Sequence, residues 1–141
     1  MWEANFLAAT RISRAALAAM APGGSIVTIS SVEASAAFAN HAHYAASKAA
    51  LESFTRSLAR EIGPRGMRAN CVAPGLIARE GLEQDGPQGW SWWSEVAPSG
   101  HPVSQDEVAG VVSFLLSSQA SGINGAVIPV DGGWSASART T

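Results

Sequence analysis

Residues 24–62, GSIVTISSVEASAAFANHAHYAASKAALESFTRSLAREI, decide the fold. Residues 25–30 (SIVTIS) are short and β-branched, the pattern of a strand buried on both faces of a parallel sheet. Residues 32–43 are small or polar without a period and read as a loop. From Tyr44 to about Ile62 the period becomes helical: Leu51, Phe54, Leu58 and Ile62 form one apolar stripe, and Gly63-Pro64 closes it.

The same alternation continues outward. Residues 2–20 carry Phe6, Leu7, Ile12, Leu17 and Met20 at helical spacing, and Pro22-Gly23-Gly24 stops that helix. Residues 67–72 (MRANCV) predict a second strand, ended by Ala73-Pro74-Gly75. Residues 76–103 keep no period and contain Gly81, Gly86, Pro87, Gly89, Pro98, Gly100 and Pro102, so they read as one long loop, functional or mobile. Ser104 with Glu107 makes a capping box that opens a helix over 108–116. Residues 126–130 predict a third strand, and Asp131-Gly132-Gly133 a turn.

The expected order is α-β-α-β-loop-α-β in one domain spanning 1–141, an α/β fold with a parallel sheet and helices on both faces. Three strands make a thin sheet, and an uncovered edge strand exposes unpaired backbone groups. A further segment or chain is therefore expected against one edge.

Composition narrows the function. The 141 residues are 47% hydrophobic and 14% charged, with net charge −2, so no basic block exists to bind nucleic acid. The single cysteine, Cys71, excludes an internal disulfide and fits a reducing compartment. No apolar run reaches the roughly 18 residues of a membrane helix. The start, MWEANFLAATRISRAALAAM, has Glu3 early and no uninterrupted apolar block, unlike a targeting peptide. A cytoplasmic location is expected.

Tyr44-Ala45-Ala46-Ser47-Lys48 carries the chemistry. Residues at i and i+4 share a helix face, so the phenol and the ammonium can enter one cavity. A free phenol ionises near pH ~10, and a neighbouring ammonium favours its phenolate, which suits proton transfer. A bare tyrosine and an exposed lysine at a helix start would look the same. Ser31 closes the first strand, whose carboxyl end faces the ligand crevice in such sheets, and its hydroxyl could bind a substrate oxygen there. A serine that merely satisfies a turn fits equally, as does the adjacent Ser30.

GSIVTISS, YAASKAALESFTRSLARE, GMRANCVAPGLI and INGAVIPVDGG resemble, in order and spacing, the second half of a short-chain dehydrogenase/reductase. The resemblance covers essentially the whole chain. It implies a partial Rossmann-like, doubly wound sheet and an oxidoreductase that uses NAD or NADP on a small carbonyl or secondary alcohol. By position, Tyr44 matches the general acid/base, Lys48 the lysine that tunes it and holds the nicotinamide ribose, and Ser31 the group on the substrate oxygen. Asn5 matches a proton-relay asparagine. Pro74 and Gly75 match the turn beside the nicotinamide, and Ile77 the backbone that meets its carboxamide. The resemblance also implies a homo-oligomer.

Departures from the pattern define the alternative. The Gly-rich phosphate turn and the Asn-Ala-Gly segment are not in this sequence. Ala78 and Arg79 stand where the family usually has threonine, and Ala34 where it usually has glycine. The resemblance sets Met1 inside a family helix, so a truncated chain is expected. Such a chain either pairs with a missing N-terminal half or serves association only, through helices 2–20 and 44–62.

Other signals are secondary. His41 and His43 lack the further ligands of a metal site and are expected at the active-site mouth or in water, with a substrate contact open to His43. Trp90, Trp92 and Trp93 lie in the region where the family keeps its substrate lid. They either cover an apolar or aromatic substrate or pack the lid onto the body. Ser31 has no G-x-S-x-G elbow and no ordered acid–histidine pair after it, which argues against a hydrolase.

Overall fold

A computed structural model describes residues 1–137. The chain opens with a wide π-helical turn, Glu3–Leu7, which continues as α1 (Ala8–Ala19). Strand β1 (Ser25–Ile29) leads through a 3-10 turn at Val32–Ala34 into α2 (Ala42–Ile62), which begins two residues earlier than the apolar stripe suggests. Asn40, just before that helix, holds a φ of 66°, a left-handed conformation that asparagine tolerates better than most residues. Strand β2 (Arg68–Pro74) follows, then α3 (Leu82–Asp85), α4 (Pro87–Val96), α5 (Gln105–Leu116) and β3 (Val127–Val130).

The sheet has the order β1-β2-β3 and both pairings are parallel, with Ile26 opposite Ala69 and Val72 opposite Ile128. All seven residues of the central strand are buried. Side chains alternate across it. Ile26 and Ala69 join Leu58, Ala59 and Ile62 of α2 and Leu17 of α1 on one face. Val27, Val72 and Ile128 join Val108 and Leu115 of α5 on the other. The fold is therefore α/β with helices on both faces of a parallel sheet, as the sequence predicts. Burying each large aliphatic side chain at these faces contributes roughly 1.5–3 kcal/mol.

Two polar side chains lock the second face. Arg68 reaches from the start of β2 to the carbonyls of Leu115 and Ser117, at 2.9 and 3.0 Å, satisfying the open end of α5. Asn70, fully buried, donates to the Ile123 carbonyl and accepts from the Ala126 N–H, fixing the chain's entry into β3.

One expectation is corrected. Residues 76–103 are not a plain loop, because α3 and α4 occupy half of their length. Their glycines and prolines break the helices into short pieces and so erase the period. Gly81 sits at φ 76° before α3, and Pro87 opens α4 at the position where its missing N–H costs nothing. The segment's two ends are stitched together, with Val103 N–H donating to Leu76 O at 3.0 Å and Ala78 N–H to Val103 O at 2.7 Å. It is a closed excursion over the carboxyl end of the sheet.

Among the described residues no strand pairs the outer edge of β1. Gly24 O and Ser30 N–H bond toward β2, so Ser25, Val27 and Ile29 face outward by alternation. Lys48 Nζ donates to the Ile29 carbonyl at 2.9 Å and satisfies one of these groups.

Candidate active site

The first strand ends in two serines whose side chains part. Ser30 Oγ donates toward Glu52 Oε1 at 3.0 Å and the Lys48 carbonyl at 3.2 Å, so it ties β1 to the middle of α2. Ser31 takes extended backbone, and its Oγ accepts from the Glu33 N–H at 3.2 Å as the cap of the 3-10 turn. A hydroxyl used as an acceptor keeps its own proton for another group.

Tyr44 lies in the first turn of α2, and Lys48 lies one turn further on the same face. The Lys48 ammonium stands 5.6 Å from the centroid of the Tyr44 ring. Burial holds the Lys48 amine below the ordinary lysine range, while the Cys71 thiolate acts in the opposite sense. Its bond to the Ile29 carbonyl uses one of its three donors and fixes it at the carboxyl end of β1.

Ser31 and Tyr44 line one cavity of about 510 Å³, together with Gly75, Leu76 and Ile77 from the turn after β2. Gly75 is required there by close approach. A Cβ on it would stand 2.3 Å from Trp93 Cζ2 and 2.9 Å from Asp131 Cβ. The turn is held from behind, because Gly75 N–H donates to Val130 O at 2.9 Å and Asp131 accepts from Gly133 and Ser135 N–H, each at 2.9 Å. Ile77 pairs with Val103 through its neighbours' groups, which leaves its own N–H and carbonyl outside that pairing.

Asn5 sits in the π-helical opening of the first helix. Its Nδ2 donates to Ser47 Oγ at 3.2 Å, and that hydroxyl donates to Tyr44 O at 2.7 Å. Asn5 does not contact Lys48 directly, but the two share a groove of about 330 Å³ along the open edge of β1. The seven positions singled out by sequence thus fall into two neighbouring spaces. Ser31, Tyr44, Gly75 and Ile77 line the cavity, Asn5 and Lys48 line the groove, and Pro74 ends the strand between them.

Several lining residues were not evident from sequence. Phe38, a lone aromatic in a run of small residues, enters the cavity, as does Glu33. His41 rather than His43 reaches it, with Nδ1 2.8 Å from Glu33 Oε2. His43 is exposed and borders an adjoining depression that shares Glu33, His41 and Tyr44 with the cavity. Of the tryptophans, Trp93 is buried and stacks on Trp134 at 5.5 Å, Trp92 is 43% exposed and lines the cavity, and Trp90 is half-buried elsewhere on α4. Packing and covering are therefore divided between adjacent residues. Among the described residues, no group of three or more His, Cys, Asp or Glu could hold a metal. Nor is any helix there long and apolar enough to cross a membrane.

The residues fit one end of a nicotinamide dinucleotide. Lys48 has donors left for ribose hydroxyls, and Ile77 has a free N–H and carbonyl that match a carboxamide. The pyrophosphate end has no counterpart, since no two glycines in the 141 residues are separated by one residue, as a Gly-x-Gly turn requires.

Comparison with known proteins agrees with this geometry. The family model described as enoyl-(acyl carrier protein) reductase matches residues 1–135. The 3-oxoacyl-[acyl-carrier-protein] reductase MabA of Mycobacterium tuberculosis is 43% identical over 136 residues, which cover 93% of this chain and 54% of that protein. A short-chain dehydrogenase/reductase from Burkholderia thailandensis superposes with a TM-score of 0.87 at 36% identity, covering 96% of this chain and 55% of the other. A blue fluorescent protein from a metagenomic library, solved in complex with NADPH, gives 0.85 at 38% identity, with 92% and 53% covered. The chain spans about half the length of the curated relatives it matches. It belongs to the short-chain dehydrogenase/reductase family.

Proposed function

We propose that this chain carries the proton-transfer centre of an NAD(P)-dependent oxidoreductase that interconverts a small carbonyl compound and its secondary alcohol. The observation that carries the reading is that Tyr44 and Ser31 line one cavity, with the Lys48 ammonium 5.6 Å from the tyrosine ring. A bound nicotinamide supplies or accepts the hydride. Ser31 donates its free proton in a hydrogen bond to the substrate oxygen and orients it. Tyr44 gives its hydroxyl proton to that oxygen in reduction and takes it back in oxidation. Lys48 stabilises the phenolate left behind. Asn5 holds the first helix against Ser47 and stands beside the groove through which a proton reaches Lys48. Segment 76–103 covers the cavity as a lid.

General acid–base catalysis contributes about 10²–10⁴-fold, so Tyr44→Phe should lower NADH- or NADPH-dependent turnover by at least about 10² while the far-ultraviolet spectrum stays the same. Unchanged turnover in that variant would refute the reading. The unpaired edge of β1 favours a second one, in which the chain associates with another polypeptide and performs no chemistry itself. Titration with NADH and NADPH, read by the five tryptophans, separates them. Micromolar binding supports the oxidoreductase, and its absence supports association.

A further inference from the structure

The cavity beside Tyr44 has walls of an unusual kind. Three of its lining residues, Trp93, Phe38 and His41, are joined through Trp134 into a continuous run of near-parallel rings in the order Trp93, Trp134, Phe38, His41, with interplanar angles of 18°, 29° and 27° and centroid spacings of 5.5, 5.7 and 6.3 Å. The run ends at Tyr44, whose ring meets His41 edge-on at 6.5 Å. Trp92 stands across it, tilted or perpendicular to Phe38, Trp93 and Trp134 at 85°, 65° and 61°. Trp93, Trp134, Phe38 and His41 each have a stacked neighbour, whereas Trp92 has none among the described ring contacts.

That difference matters because of exposure. Trp93, the next residue, is 3% exposed and serves as core, whereas Trp92 leaves 43% of its surface in water at the cavity wall. Leaving so large an aromatic surface hydrated costs stability that burial would recover, and exposed apolar surface beside a cavity is characteristic of ligand sites. The wall is also pre-set. Rings with two side-chain torsions, held ring-on-ring, lose little freedom when a ligand arrives. A flexible acyl chain gains only contact area from such a wall, while a flat ring also gains the offset-stacked or edge-to-face geometry that aromatic quadrupoles favour.

We infer that the cavity selects a planar aromatic ketone, or the corresponding benzylic alcohol, with Trp92 as the specificity-determining residue that stacks on its ring. This rests on the reading of the cavity as the substrate site. The carbonyl then lies toward Ser31 and Tyr44, and the ring lies among Phe38, Trp92 and Leu76, all of which line the cavity.

The test compares two ketones of equal carbon number, flat 1-indanone and flexible 2-nonanone, by titration calorimetry on the whole chain. Wild type should bind 1-indanone the more tightly. Trp92→Leu should weaken 1-indanone about two- to tenfold, the range expected for one aromatic pair, and leave 2-nonanone nearly unchanged. Trp92→Phe should restore most of the preference, and an unchanged urea midpoint in both variants excludes a folding defect. Equal affinity for the two ketones, equal loss for both in Trp92→Leu, or no binding of 1-indanone at millimolar concentration would each overturn the inference. NAD(P)H-dependent reduction by the wild type keeps the two claims apart: Trp92-dependent binding without that reduction sinks the oxidoreductase and leaves the aromatic site standing. Reduction that ignores Trp92 does the reverse.

Discussion

The indole of Trp93 lies directly against the backbone of Gly75, so closely that its Cζ2 and Cη2 atoms would be 2.3 and 2.5 Å from a Cβ on that glycine. This contact joins the helical excursion over the sheet to the turn that follows its central strand. Asp131 closes the same turn from the other side, with its Cβ 2.9 Å from that position. The glycine is needed for space, not for an unusual backbone angle.

Gly75→Ala should therefore behave as an overpacked core substitution. It is expected to cost about 1–3 kcal/mol, read as a lower urea midpoint. The buried Trp93 must move to admit the methyl group, so its fluorescence should shift to the red. A variant as stable as wild type would show that the indole gives way freely.

Ser30 and Ser31 should separate stability from chemistry. Ser30→Ala removes a donor from Glu52, which is buried and among the described residues otherwise has only Arg56 at 3.8 Å, and should destabilise by about 1–3 kcal/mol. Ser31→Ala loses a cap to a three-residue turn and should cost about 0.5–2 kcal/mol, while substrate binding falls severely. Urea titration and ketone binding on both variants decide this. Equal loss of binding in the two would contradict the division.

The sequence made the fold legible where local signals agree. In the predicted stripe Leu51, Leu58 and Ile62 are buried and Phe54 is half-buried against the same core, and Ser104 and Glu107 form their reciprocal cap at 3.1 and 2.7 Å. It misled where Gly and Pro punctuate short helices, because the ten residues of α4 are too few to display a sustained period. Pro87 was the available clue to its start. The site divides in the same way. Tyr44, Lys48 and Ser31 follow from one helix and one strand end, whereas the Trp93–Trp134 stack joins residues 41 positions apart by tertiary packing alone. Arg68 reads locally as a surface charge, yet it is buried because carbonyls from the end of α5 surround it.

Arg68→Met should test that last point. The substitution keeps the aliphatic stem but removes the charged donor from the carbonyls of Leu115 and Ser117, leaving them Ser25 Oγ at 3.0 Å and the Ala120 N–H at 3.4 Å. A loss of roughly 1.5–3 kcal/mol is expected, the range for hydrogen bonds to charged groups. Amide exchange should quicken at the carboxyl end of α5 and leave α2 unaffected. A uniform change across both helices would instead mean that the arginine supports the whole sheet.

The pH dependence of stability should reveal a half-buried lysine and a buried cysteine acting in opposite directions. Burial holds Lys48 below the ordinary lysine range, with the Cys71 thiolate opposing, so between its lowered folded value and about pH 10.4 the unfolded chain binds more protons. Stability from this group therefore rises with pH across that window and is lost as pH falls through the folded value. Burial pushes the Cys71 thiol up, and Glu52 adds to the shift while Thr28 and Lys48 oppose it. Above about pH 8.5 the unfolded chain loses a thiol proton that the folded chain keeps, so stability from Cys71 falls as pH rises. Urea midpoints between about pH 7 and 10 on Lys48→Met and Cys71→Ala resolve the two contributions. Relative to wild type, Lys48→Met should decline more steeply with rising pH, because the stabilising limb is gone, and Cys71→Ala less steeply. Parallel curves for all three proteins would show that neither group titrates differently on folding.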